Sequence, residues 1–344
     1  MMIVMTEGAT EEQIQGVIDR IEKAGANAHV SRGQFVTVIG AVGDADSQVH
    51  EAGLELADGV DHVVPIMKPY KLSSSQFTKG EKTTIEIEGR KLGGGHFALI
   101  AGPCTVESRE QVFTSAQQCK DAGVPFFRGG AYKPRTSPYS FQGLGVEGLR
   151  ILGEAKEEFG MPIVTELMDV RDVEHVVEYA DVIQVGARNM QNYTLLTEIG
   201  RSGVPALLKR GLSSTIEDLL MASEYILKEG NQDVMLCERG IRTFEPGYRF
   251  TLDLLAVPVL QQLTHLPIVV DPSHAAGRRD LVLSMSLAAA AAGADGIIVE
   301  THPDPENAIC DGPQAIRGSE FGEYAEQVNR IAEMVGKTAE VVAA

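Results

Sequence analysis

Four side chains able to hold a transition ion stand far apart in the chain: Cys104 in AGPC, His274 in DPSHA, Glu300 in VETH and Asp311 in CDGPQ. One thiolate, one imidazole and two carboxylates suit a divalent ion such as Mn, Fe, Co, Zn or Cd and leave a position open for a substrate oxygen. The same residue types also suit a buried thiol, a capping aspartate and a loop histidine. Spacing alone does not separate the two readings, because no local motif such as CxxC is present.

A second group is cationic. It comprises Arg128, Lys133 and Arg135 in FRGGAYKPRTSPYSFQG, Arg188 in VGARN, Lys209 and Arg210 in LLKRG, and Arg239 in CERG. So many cations brought to one place repel one another unless anions neutralise them. Phosphate and carboxylate groups of a ligand would do so, and acidic neighbours such as Glu166 or Glu238 are the alternative. Arg supplies bidentate contacts and Lys a point charge, a mix that orients phosphoryl and carboxylate groups. GGAYKPRTSP has the composition of a phosphate cradle: glycines for close approach, Arg135 for charge, hydroxyls of Thr136 and Ser137, and Pro134 and Pro138 for stiffness. Lys209 has two readings, a Schiff-base nucleophile or an anion contact and proton relay. The four-ligand set favours the second.

The elements that must position these residues follow from periodicity. From residue 83, after a candidate hairpin in TTIEIEGRKLGGGHF, apolar runs alternate with stretches of helical period. The runs are FALIAG, PFFRGG, PIVTEL, VIQVGA, PALLKRG, VMLCERG, PIVVDPSH and GIIVETH. Eight nearly continuous apolar strands are what a closed parallel barrel needs. The helices between them are expected in REQVFTSAQQCKDAG, VEGLRILGEAKEEFG, DVEHVVEYA, YTLLTEIGRSG, TIEDLLMASEYILKEG, TLDLLAVPVLQQL, LVLSMSLAAAAAG and EYAEQVNRIAEMV. Cys104, Arg128, Glu166, Arg188, Lys209, Glu238 with Arg239, Asp271 with His274, and Glu300 all fall at or just past a strand's carboxyl end, the rim that carries the active site in such barrels.

Ahead of the barrel, a strand (Ile3 to Met5), a helix (Glu11 to Lys23), strands (Ala28 to Val30 and Phe35 to Gly40), a helix (Gln48 to Leu56) and a strand (His62 to Ile66) give a βαββαβ order. That order predicts a small ferredoxin-like module. The expected organisation is an α/β chain with a ferredoxin-like, ACT-like domain over 1–67, a polar linker over 68–82 and a (β/α)8 TIM barrel with its hairpin over 83–344. The length of 344 residues accommodates one barrel of about 250 residues and a small module.

A formal charge of −18 argues against nucleic-acid or anionic-membrane partners, which draw affinity from a basic surface. No apolar run is long enough to span a bilayer and the amino terminus turns acidic, so a cytoplasmic protein is expected. Four scattered cysteines, Cys104, Cys119, Cys237 and Cys310, do not make a disulfide framework.

Taken together, AGPCTVES, RGGAYKPRTSPYSFQGLG, IQVGARNMQN, LLKRG, LCERGIRTFE, VDPSHAAGRRDL and IIVETHPDPENAICDGPQ resemble the 3-deoxy-D-arabino-heptulosonate 7-phosphate (DAHP) synthases of the short bacterial and archaeal subclass, in order over essentially the whole barrel. The resemblance implies condensation of phosphoenolpyruvate with erythrose 4-phosphate, the first step of the shikimate pathway to aromatic amino acids. It implies a metal on the matches Cys104, His274, Glu300 and Asp311, and phosphoenolpyruvate on Arg128, Lys133, Arg188, Lys209 and Arg239. Erythrose 4-phosphate would meet KPRTS, with Arg135 and Thr136 on its phosphate. The expected catalytic group is Lys133, Lys209, Glu166, Cys104 and His274. The sister family, 3-deoxy-manno-octulosonate 8-phosphate synthases acting on arabinose 5-phosphate, typically carries an Asn in the KPRTS region and RQTD after strand 4; KPRTS and GARN stand here instead. The first module resembles the regulatory domain of some members, in which tyrosine or phenylalanine binds between neighbouring subunits. His29 and Ser31 match effector positions there, and a homotetramer is expected. A plain oligomerisation module, or an amino-acid sensor on a barrel scaffold, are the rival readings.

Overall fold

The computed structural model describes residues 1–32, 36–42, 52–64, 69–135 and 137–342. The chain divides into two compact units, Met1–Pro69 and Tyr70–Ala344.

In the first unit, β1 (Met2–Met5), α1 (Glu11–Lys23), β2 (Asn27–Arg32), β3 (Thr37–Val42) and β4 (Val60–Val64) build an antiparallel sheet of order β2-β3-β1-β4, the ferredoxin-like arrangement. Helix α1 starts where the sequence tells it to. Thr10 and Gln13 form a reciprocal capping box, Glu11 and Glu12 sit in the first turn, and Arg20 and Lys23 in the last, each complementing the helix dipole. Ile14, Val17 and Ile21 fall on one face and bury themselves among Ile3, Met5 and Ile39. Of the second expected helix, Gln48 to Glu51 lie outside the described residues, and its described end is a 3-10 turn, Leu54–Leu56. Phe35 and Ile66, expected in strands, also lie outside them.

The second unit is a closed barrel. Its parallel strands are β7 (His96–Gly102), β8 (Phe126–Arg128), β9 (Ile163–Glu166), β10 (Val182–Val185), β11 (Ala206–Lys209), β12 (Val234–Glu238), β13 (Ile268–Val270) and β14 (Gly296–His302). They pair in sequence order, and β14 closes on β7 through the register Gly296↔Ala98 to Glu300↔Gly102. Helices α2 (Arg109–Asp121), α3 (Val146–Phe159), α4 (Val173–Tyr179), α5 (Tyr193–Ser202), α6 (Ile216–Leu227), α7 (Ala256–Leu263), the short α8 (Pro272–Ala276), α9 (Arg279–Ala291) and α10 (Phe321–Met334) follow the strands. Helix α7 begins later than the expected TLDLL because Pro258 is tolerated only in a first turn, where no i−4 bond is lost.

The barrel interior is apolar. Ala98, Ile100, Phe126, Val164, Val182, Leu207, Met235, Cys237, Val269 and Ile298 fill it. The hairpin β5 (Thr84–Ile87) and β6 (Arg90–Gly93) adds Ile85, Ile87 and Leu92 to the same cluster and so plugs the amino-terminal end. Each such side chain, fully buried, contributes about 1.5–3 kcal/mol.

The stretch expected as a linker belongs to this unit from Tyr70 onward. The backbone N–H groups of Lys71, Leu72 and Ser73 donate to the Glu224 carboxylate at 3.0, 3.1 and 2.7 Å. Ser73 and Ser74 are buried. Polar composition conceals this packing, because serine hydroxyls and backbone groups can be buried once each has a partner.

Candidate active site at the carboxyl rim

Period-2 alternation decides which strand-end residues face inward. Every inward polar residue stands two positions beyond a member of the apolar interior: Arg128 after Phe126, Glu166 after Val164, Gln184 after Val182, Lys209 after Leu207, Arg239 after Cys237, Asp271 after Val269 and Glu300 after Ile298. They form a polar layer directly above the packed core. Over it lies a cavity of about 320 Å³, whose lining includes Lys133, Arg135, Glu166, Arg188, Lys209, Arg239, His274, Cys310 and Asp311.

The same alternation turns Arg210 away from this cavity, against the expectation that it joins the cationic cluster. Its guanidinium pairs with Glu238 at 2.9 Å and Asp253 at 2.8 Å. Glu238, also outward, is fully buried and accepts the Gly240 N–H at 2.7 Å. The pair is structural support for the rim.

The four candidate ion donors fall into two groups that share Asp311, with Cys310 as a fifth donor. Cys104, Cys310 and Asp311 form one cluster and His274, Glu300 and Asp311 another, the donor atoms within 4.8 Å of one another in each. Asp311, shared by both, sits in the left-handed backbone region at φ 53°, unusual for a residue with a side chain. The Cys104 thiol lies 3.3 Å from Cys310 Sγ and 3.3 Å from Asp311 Oδ2. Its hydrogen bond to Cys310, with burial, pushes the Cys104 thiol up, and the same bond holds Cys310 down.

The short sequence DPSH explains how His274 is aimed. Asp271 caps α8, accepting the His274 backbone N–H at 2.9 Å, with Pro272 in the first turn. Its other oxygen accepts His274 Nδ1 at 2.7 Å and takes the Lys209 ammonium at 2.6 Å. His274 Nε2 is thereby directed to Glu300, 3.3 Å away. A carboxylate behind an imidazole in this way fixes ring and tautomer for a metal ligand. Burial lowers the His274 imidazole despite Asp271 and Glu300, which favours the neutral, ligating form.

Burial alone would raise both inner carboxyls. His274, in its protonated form, and Lys209 nevertheless hold Asp271 well below the ordinary carboxylate range, and the same imidazolium with Arg128 and Lys133 brings Glu300 to about 2. Gln314 also donates to Glu300 Oε2 at 2.7 Å. The donor set of thiols, an imidazole favoured in its neutral form and carboxylates therefore fits a divalent transition ion.

The cations are placed differently from one another. Lys133 donates to the Cys104 carbonyl at 2.9 Å at the cavity wall. Arg239 is 6% exposed, stacks over Phe250 at 4.6 Å and leaves Nη1 without a hydrogen-bond partner. Arg188 and Arg135 reach the cavity from the loops. Arg128 lies deeper, bonded to the Pro103 carbonyl at 2.8 Å and to Glu300 at 3.2 Å, and does not line the cavity. Thr136 lies outside the described residues.

Glu166 accepts from Gln184 Nε2 at 3.0 Å and faces the cavity beside Gly186, where a Cβ would stand 2.2 Å from Glu166 Oε1. A side chain at position 186 would push that carboxylate aside. His29 and Ser31 are exposed on β2 of the first unit.

Gln184 and Arg249 are not singled out by the sequence, and Cys310 stands there only as one of four cysteines free to be a ligand. Gln184 carried an available signal, the strand alternation. Arg249 reaches Asp311 at 3.6 Å and Gln314 at 3.1 Å from a loop without periodicity.

The family model described as the DAHP synthase ferredoxin-like domain matches residues 1–68, and that of the DAHP synthetase I family residues 76–337. A phospho-2-dehydro-3-deoxyheptonate aldolase of Thermotoga maritima is 50% identical, the alignment covering 98% of this chain and 99% of the relative. The crystal structure of a DAHP synthase from the same organism superposes with a TM-score of 0.90 at 48% identity, covering 98% of both chains. A 2-dehydro-3-deoxyphosphooctonate aldolase of Hydrogenovibrio crunogenus is 33% identical over 69% of this chain and 91% of its own length.

Proposed function

Since the chain belongs to the DAHP synthetase I family, we propose that it condenses phosphoenolpyruvate with D-erythrose 4-phosphate and water, giving 3-deoxy-D-arabino-heptulosonate 7-phosphate and phosphate. The observation that carries this reading is the meeting of an ion-donor cluster with a cation-lined cavity at one barrel mouth. A divalent ion held by Cys104, His274, Glu300 and Asp311, whether Mn, Fe, Co, Zn or Cd, would supply Lewis acidity toward an aldehyde oxygen.

The chain's own residues do the rest. Lys133, Arg188, Lys209 and Arg239 orient the phosphate and carboxylate of phosphoenolpyruvate, with Arg128 supporting them from below, so that its C3 faces the aldehyde carbon. Arg135 and Thr136 take the aldose phosphate. Carbon C3 bonds to that aldehyde carbon, water adds at C2, and phosphate leaves. Glu166 supplies negative charge beside the C2 centre as positive charge develops there. Lys209 acts as an anion contact, consistent with its pairing to Asp271.

The first unit is proposed as a regulatory domain through which tyrosine or phenylalanine inhibits, with His29 and Ser31 at the effector site, in a cytoplasmic homotetramer. Residues 83–344 are the proposed catalytic part.

The test is an assay of erythrose 4-phosphate and arabinose 5-phosphate side by side, before and after chelation. Turnover with the four-carbon sugar, abolished by stripping and restored by Mn, is the expected result. Full activity in demetallated protein would remove the ion from the reading, and preference for arabinose 5-phosphate would move the chain to the eight-carbon reaction.

A further inference from the structure

The loop that delivers Cys310 and Asp311 to the site, residues 303–311, has neither helix nor strand. Its position relative to Cys104 is nevertheless defined to within hydrogen-bonding distance. A side chain from the neighbouring strand end holds it. Glu107 follows Cys104 by three residues in AGPCTVES and accepts the backbone N–H of Ile309 through Oε1 at 2.8 Å.

The second oxygen, Oε2, lies 3.4 Å from Nε2 of His302, the last residue of β14. His302 Nδ1 accepts the Asp304 N–H at 3.0 Å, so the ring proton sits on Nε2, which is near Glu107 but makes no hydrogen bond. The two side chains are 7% and 11% exposed. Glu107 neither lines the cavity nor belongs to the donor clusters, so it has no direct task toward substrate or ion.

We propose that Glu107 is a positioning residue for the ion site, tying the loop after β14 to the loop after β7 so that Cys310 and Asp311 stand opposite Cys104. The inference rests on the ion site proposed above. Without Glu107, the Ile309 N–H loses its acceptor and the loop's freedom falls on the donors one and two residues further on. Groups that orient metal ligands from outside typically change affinity by about 10–100-fold when removed.

Full-length wild type, Glu107→Ala and Glu107→Gln, all stripped of metal, are titrated with Cd, following the thiolate-to-cadmium absorbance, and amide exchange over residues 303–311 is measured in parallel. Glu107→Ala should bind Cd about 10–100-fold more weakly and exchange faster across the loop. Glu107→Gln, whose amide oxygen still accepts from Ile309, should stay within about threefold of wild type. Once saturated with ion, Glu107→Ala should show an unchanged KM for phosphoenolpyruvate. Wild-type Cd affinity in Glu107→Ala overturns the proposal. Should that variant fail to fold, the wild type decides: an Ile309 amide that exchanges as fast as an open loop overturns it equally. If the wild type takes up no Cd, the ion site itself fails, while faster loop exchange in Glu107→Ala still registers the tether.

Discussion

At the scale of single residues, the site is a problem in holding charge without water. Asp271 and Glu300 are buried carboxylates kept ionised by Lys209, Arg128 and Lys133, and by His274 once it is protonated. A group whose folded value is depressed stabilises the fold above its unfolded value and loses that contribution as pH falls through the folded one. For Glu300 that window runs from the ordinary 4.5 down to about 2. Urea unfolding of metal-stripped protein should therefore show a midpoint that declines between these pH values. Glu300→Gln should decline less steeply; an identical slope in that variant would assign the loss to other carboxylates.

The rim placement of Cys104, His274 and Glu300 was legible because each stands at or just past a strand end, whereas Asp311 lies nine residues beyond β14. Cys310 was visible only as one of four unpaired cysteines, because nothing in the chain shows that it faces Cys104, 206 residues away. Arg210 was misplaced because it was grouped with Lys209 by proximity in sequence, although adjacent strand residues point to opposite faces. The dual role of Asp271 is half local, the cap of α8, and half tertiary, the Lys209 contact.

At the scale of elements, the eight strands were readable as apolar runs, and α1 from its capping residues and its i, i+3, i+7 face. The hairpin was visible as a hairpin but its task was not. Ile85 and Leu92 are fully or almost fully buried in the barrel interior, a placement that alternation within four residues cannot reveal. Truncating Ile85 to Ala should cost about 2–5 kcal/mol, read as a lowered denaturation midpoint with an unchanged KM for phosphoenolpyruvate. A cost below about 0.5 kcal/mol, the range of ordinary surface changes, would mean the hairpin does not seal that end. The start of α7 was misjudged by five residues for a reason the sequence did contain, Pro258.

At the scale of the whole molecule, the two units have separate cores. Their division near residue 69 follows the shift in pattern from βαββαβ to repeated βα, whereas the attachment of residues 70–82 to the barrel depends on partners such as Glu224 and His265 that sequence proximity does not indicate. If the first unit regulates, tyrosine or phenylalanine should inhibit the full-length enzyme in steady-state assays. His29→Ala should raise the inhibitory concentration at least about tenfold, the loss of a good charge-free contact set, with kcat retained without effector. Equal inhibition of both proteins would move the effector site away from β2.

A barrel filled with side chains from Ala98 to Ile298 and stoppered at its amino-terminal end by Ile85, Ile87 and Leu92 closes the rim cavity from beneath. Traffic through a blind-ended well is last in, first out. If the proposed condensation runs here, the reactant that lies nearer the floor enters before its partner, and the product leaves before the next pair is admitted.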